Sequence, residues 1–160
     1  MLNRNFQGFV KLLNARGVKY LVVGGYAVAF HGFPRYTGDI DFLVAPTCDN
    51  AEKIVQVFSD FGFPNSAAVN YFLEPDANVA FGEPPQRIHL LTGIAGVTFD
   101  ECYASRQYFE NEGEKIPFIG IDALIRAKEA LKRDQDELDL KRLRRLRELQ
   151  KKNRNQDLPT

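Results

Sequence analysis

Asp39 and Asp41 interrupt an otherwise apolar run, Asp39-Ile40-Asp41-Phe42-Leu43-Val44, that ends before Pro46. In an extended strand, residues two apart point to the same face, with Cα atoms roughly 6–7 Å apart. The two carboxylates therefore project together, and Ile40 and Phe42 point the other way. Ionised carboxylates held that close repel, and in dry surroundings one of them takes up a proton. A divalent cation removes the conflict. Mg²⁺ prefers hard oxygen ligands and usually takes one or two carboxylates together with substrate phosphates. The pair is a candidate metal platform for phosphoryl or nucleotidyl transfer.

Upstream, Gly24-Gly25 follows the run Tyr20-Leu21-Val22-Val23. Glycine lets a backbone approach a ligand closely, and amides at the start of a following helix can hold phosphate oxygens. A Gly-Gly pair alone also fits a plain turn. The same pair before a short helix, with Asp-x-Asp in the next strand, is a much more specific signal. Between them, Arg35 suits either a triphosphate or a pairing with Asp39 or Asp41. Thr37 reads as a local hydrogen-bonding residue, and His31 as a helix-end cap.

The elements that must position these groups follow from periodicity. Phe6, Phe9, Val10, Leu12 and Leu13 have helical spacing, with Gly17 as the stop. Strands are expected over Tyr20–Val23, Asp39–Val44 and Arg87–Thr92, and a short one near Asn78–Phe81. Helices are expected over Tyr26–His31, Asp49–Phe61 and Phe99–Ser105. Gln107–Glu110 and Lys115–Ile119 read as a hairpin around Asn111-Glu112-Gly113. Two amphipathic helices follow, Ile121–Arg133 and Asp136–Lys152, before a frayed end at 153–160. Residues 63–85 read mainly as loops. The expected class is α/β (α+β), a small mixed sheet flanked by helices. Residues 1–120 would form the core, 121–152 a helical segment packed on it, and 153–160 a flexible tail.

A chain of 160 residues with 44% apolar content suits one core. Formal net charge is zero, so no global polyanion-binding field is expected. From Ala123 onward, however, twelve basic residues face seven acidic ones. That surplus of +5 leaves −5 on the body. It fits a solvated, ion-paired helix or, more sharply, a surface for an RNA backbone. Two distant cysteines without CxxC argue against a zinc site or disulfide framework. No signal peptide opens the chain and no apolar run matches a membrane span, so a cytoplasmic setting without membrane contact is the expectation.

The segments Gly24-Gly25-Tyr-Ala-Val-Ala-Phe-His31-Gly32 and Arg35-Tyr-Thr37-Gly-Asp39-Ile-Asp41 together resemble the minimal nucleotidyltransferase fold of the DNA polymerase beta superfamily. The likeness leans toward bacterial proteins related to the AbiEii toxins. It is strong over Tyr20–Val44 and weaker over Gln86–Phe99 and Ala123–Leu143, where Lys128 … Arg133-Asp-Gln-Asp136-Glu-Leu-Asp139 looks like the family's Lys-to-Asp helical segment. The resemblance implies that Asp39 and Asp41 bind Mg²⁺, with Mn²⁺ as a second choice. It implies that Gly24, Gly25, Arg35 and Lys128 meet the nucleotide, Lys128 facing its phosphates.

This chain departs from the pattern at one position. Where relatives carry a third carboxylate, Arg87-Ile88-His89-Leu90-Leu91 has histidine. Imidazole can act as a general base. It is a poorer Mg²⁺ ligand but suits Mn²⁺ or Zn²⁺. Glu74, Asp76 and Glu83 are the candidate substitutes.

The expectation is therefore a metal-dependent nucleotidyltransferase. It would move a nucleoside monophosphate from an NTP to a hydroxyl on RNA, protein or a small molecule, in a toxin–antitoxin or phage-defence setting, with an antitoxin or a second copy as partner. The chain is short beside full-length toxins, and a large helical acceptor domain is not expected, which weighs against tRNA. The alternative is a nucleotide-binding module or partner subunit impaired by His89. A third reading makes the basic C-terminal helix an RNA or protein docking surface. Asp136 and Asp139 read as helix-start charges favoured by the macrodipole.

Overall fold

The computed structural model describes residues 2–34, 36–65 and 68–156. Arg35 lies outside them. The first helix, α1 (Arg4–Ala15), starts where the Asn3 side chain accepts from the Phe6 amide at 3.0 Å. It buries Phe6, Phe9, Val10 and Leu13 along one side. Then follow β1 (Tyr20–Val23), α2 (Gly24–Phe30), β2 (Asp39–Val44) and α3 (Cys48–Asp60), the last capped by Thr47. A 3₁₀ turn at Val69–Leu73 leads to β3 (Asn78–Phe81) and β4 (Arg87–Leu91). The chain continues through α4 (Phe99–Ala104), β5 (Gln107–Asn111), β6 (Glu114–Phe118), α5 (Ile121–Leu131) and α6 (Asp134–Gln156).

The strands form one mixed sheet of order β3-β4-β2-β1-β6-β5. β2 runs antiparallel to β1 and parallel to β4, and β6 runs parallel to β1. Glu112 and Gly113 join β5 to β6 with positive φ at both positions, 51° and 83°, the pattern whose twist matches a hairpin. Along β2, burial alternates from Asp39 to Phe42, half-buried then buried, and β4 alternates likewise. Phe42 thus joins the core face. There Phe9 packs its ring 5.5 Å from Phe42 and 5.5 Å from Phe81. The aspartates take the opposite face.

Three elements tie that second face to the rest. The α5–α6 hairpin turns at Lys132, which adopts the left-handed conformation with φ 53°. Leu140 and Leu143 of α6 are buried in the core cluster. His31, just past α2, is buried, and its Nε2–H donates to the Ile119 carbonyl at 2.8 Å. His31 is also the C-cap residue of α2, as expected, its backbone N–H donating to the Ala27 carbonyl at 3.1 Å, and the ring contact adds a tertiary tie from α2 to the entry of α5. α6 runs to Gln156, four residues beyond the expected Lys152, and residues 157–160 lie outside the described ones.

Candidate active site

β2 and β4 pair in parallel with Asp39 opposite Arg87 and Asp41 opposite His89. The register places all four side chains on one face. Asp39, Asp41, His89 and Gly24 line a cleft of about 540 Å³. The opposite wall comes from α5 through Leu124, Ala127 and Lys128, followed by Leu131 and Arg133. Leu91 and Ile94 make the cleft partly apolar. Glu74, Asp76 and Glu83 are not among its lining residues, so none of them is brought to the aspartates.

Any side chain at Gly24 would be strained and would have to displace Asp41. Its φ is +69°, and a Cβ on it would overlap Asp41 Oδ2. The Asp41 carboxylate thus rests directly on the backbone at the start of α2. Val23 precedes that helix and makes no side-chain capping bond. Gly25 is buried one residue further in.

His89 Nε2 lies 3.3 Å from Asp39 Oδ2. The other ring nitrogen, Nδ1, lies 3.3 Å from Asn78 Oδ1. Asp39 Oδ1 and His89 Nε2 are buried atoms with no hydrogen-bond partner among the described residues. Burial raises the Asp41 carboxyl above the ordinary carboxylate range; His89 pulls it back down, and Asp39 pushes it up again. Such a site favours a cation. Among the described residues, no three His, Cys, Asp or Glu side chains are gathered into a ready-made cage. Two carboxylates with substrate phosphates would suffice for a hard divalent ion.

Lys128 reaches the cleft but is not a loose cation. Its Nζ lies 3.1 Å from Asp136 Oδ1 and 3.1 Å from Asp139 Oδ2, with all three side chains buried. The two aspartates are therefore the counter-charges of a buried lysine, beyond any macrodipole role. Asp136 also accepts from Arg133 Nε at 2.6 Å and from the Arg133 amide at 3.3 Å. Burial works against the charged form of Asp136, but bonds from Arg133 and Lys128 outweigh it and hold the carboxyl below its usual range. The Arg133 side chain is 68% exposed and lines the cleft.

Sequence reasoning assigned no role to Arg133 and Asn78. Arg133 sits inside the Lys-to-Asp segment, but nothing local marks it as facing the aspartates. Asn78 opens a short edge strand, where a polar residue is unremarkable.

A larger concavity, about 790 Å³, runs between α5 and α6 past Glu129, Lys132, Glu137, Lys141, Arg144 and Arg145. It carries both signs of charge and none of the groups above. Arg144 pairs with Glu129 at 3.0 Å, and Arg147 with Asp122 at 3.4 Å. Among the described residues, no helix is long and apolar enough to cross a membrane. Cys48 and Cys102 are both free thiols.

No protein-family model matches the chain, and no curated protein sequence does. Solved structures do match. One is a candidate nucleotidyltransferase, TM1012, from Thermotoga maritima, with a TM-score of 0.54 and 18% identity, covering 95% of this chain and 92% of that one. Another is the lincosamide antibiotic adenylyltransferase LnuA with lincomycin bound, with a TM-score of 0.53 and 15% identity, covering 91% and 98%. The chain has the minimal nucleotidyltransferase fold that these two share.

Proposed function

We propose that this chain is a metal-dependent nucleotidyltransferase that moves a nucleoside monophosphate from an NTP to a hydroxyl acceptor. The observation that carries the reading is the position of Asp39 and Asp41. They share one face of β2, and Asp41 rests on Gly24 at the start of α2. Asp39 and Asp41 would hold the metal. When bound, it supplies charge neutralisation for the triphosphate and the developing oxyanion. The α2 amides at Gly24 and Gly25 would meet the β- and γ-phosphates. Arg35 and Lys128 belong to the same proposal, and Arg133 joins them as the more exposed cation of the α5 wall. The acceptor oxygen forms its bond to the α-phosphorus while the bond to the β-phosphate oxygen breaks. Pyrophosphate leaves, and the acceptor proton passes to His89 or to a carboxylate.

LnuA is an adenylyltransferase with a small molecule bound, and the two chains overlap over nearly their full lengths. That likeness, with a cleft of about 540 Å³ and apolar residues on its wall, favours ATP and a small hydroxylated acceptor. RNA and protein acceptors remain within the reading, as does pairing with an antitoxin.

The test is label transfer. The protein is incubated with each α-³²P-labelled NTP, with Mg²⁺ or Mn²⁺, and with cellular RNA, protein and small-molecule fractions, beside Asp41→Asn. Label on one fraction that is absent in the variant is the expected result. The presence of His89 in place of a third carboxylate favours one second reading, a nucleotide-binding module. Metal-dependent NTP binding without transfer would select it.

A further inference from the structure

We infer that His89 is a metal ligand, oriented by Asn78, and that it turns the candidate site from an oxygen-only Mg²⁺ site into a mixed nitrogen–oxygen site that prefers an ion such as Mn²⁺. The inference rests on the metal site proposed above and adds the identity of a ligand, its positioning residue and the class of ion.

Three observations carry it. The first is the tautomer. Asn78 Oδ1 can only accept, so the 3.3 Å contact makes His89 Nδ1 the donor. In the neutral ring, Nε2 then carries the lone pair. Metal-binding histidines show this arrangement, with the second nitrogen's N–H engaged by an acceptor that fixes tautomer and ring orientation. The second observation is the orphaning. His89 Nε2 and Asp39 Oδ1 are buried without a hydrogen bond, and although Nε2 stands near Asp39 Oδ2, it is not aligned to donate to it. A lone pair on Nε2 facing the Asp39 carboxylate through Oδ2 is repelled unless a cation serves both.

The third observation is the spacing. Neighbouring ligands about 2.1 Å from one ion, at angles between octahedral and tetrahedral, stand about 3.0–3.4 Å apart. The measured separation of Nε2 and Oδ2 is 3.3 Å. Register puts Asp41 directly opposite His89 on the same face. The pair brought within ligand spacing is then the His89 imidazole and an Asp39 oxygen, a nitrogen–oxygen set that suits Mn²⁺ and its later neighbours better than Mg²⁺. One lone pair cannot hold both a metal and a proton, so this role removes His89 from the choice of general base.

The test uses Mn²⁺ as both ligand and probe. Bound Mn²⁺ is titrated by electron paramagnetic resonance, and its electron spin echo is searched for ¹⁴N modulation from a directly ligated imidazole. The wild-type chain is expected to show that modulation and to need far more Mg²⁺ than Mn²⁺ for half-occupancy. His89→Asp should abolish the modulation and shrink the Mn²⁺-over-Mg²⁺ preference at least tenfold. Asn78→Leu, which keeps the branched shape at an edge strand and removes the acceptor, should weaken Mn²⁺ binding roughly 10–100-fold and spare Mg²⁺. Melting curves of each variant establish that it is folded. Mn²⁺ bound in an Asp39-dependent way without ¹⁴N modulation would overturn the histidine ligand and leave the metal site standing. No Mn²⁺ binding, or binding indifferent to Asp39→Asn, would overturn both.

Discussion

At the scale of single residues, the site is a set of groups that are uncomfortable without a ligand. Asp41 is the clearest case, because burial pushes its carboxyl toward the neutral form. Asp41→Asn should therefore raise the melting temperature of the metal-free chain, by roughly 2–4 °C, while abolishing metal-dependent nucleotide binding. Calorimetry with and without Mn²⁺ reads both effects, and a lower melting temperature in the metal-free variant would contradict the first. Gly24 is constrained twice, by its φ and by the carboxylate against it. Gly24→Ala should cost about 1–3 kcal/mol in chemical unfolding and displace Asp41. A variant with unchanged stability and unchanged Mn²⁺ affinity would refute that account. Both positions were legible in the sequence, since Asp-x-Asp in a strand and Gly-Gly after one are local patterns.

At the scale of elements, what could not be read locally is the join between α5 and α6. Lys128 meets Asp136 and Asp139 across the Lys132 turn, eight and eleven residues on. Helical periodicity marks amphipathic faces but does not say that two aspartates at a helix start fold back onto a lysine of the helix before. Their charge made them look exposed, whereas pairing lets all three be buried. The strands were easier. β1, β2 and β3 have the expected limits because alternation and their flanking Gly and Pro define them locally. The buried triad makes a test. Lys128→Met leaves two buried carboxylates short of a counter-charge and should cost about 3–5 kcal/mol in urea unfolding. Replacing all three by apolar residues should cost less than the single change. Arg133→Gln, on the exposed side of the network, should cost far less stability than Lys128→Met yet weaken NTP binding, read by titration at two salt concentrations.

At the scale of the whole molecule, pH acts on stability through groups other than Asp39 and Asp41. Burial lowers the pKa of His31 in the folded chain. The unfolded chain therefore binds that proton more readily, and stability falls as pH drops below about 6.5. Asp136 contributes stability above the ordinary aspartate range, about 3.9, that is lost as pH falls through its lower folded value. Melting curves between pH 4 and 8 should show the first loss in the wild type and not in His31→Gln, whose amide still donates to Ile119. Equal slopes for the two proteins would remove His31 from the account.

The two walls of the cleft also differ in when they are made. The wall bearing Asp39, Asp41 and His89 is complete once Leu91 has been added, whereas α5 starts at Ile121 and Lys128 awaits Asp139. At about 5–20 residues per second, a growing chain carries its aspartate face uncovered for several seconds. During that interval the cleft has a floor and no roof, and Leu91 and Ile94 face solvent or whatever chaperone guards the exit. Translation speed through the stretch between the two walls then becomes a variable of folding yield, and slow codons there would lengthen the vulnerable interval.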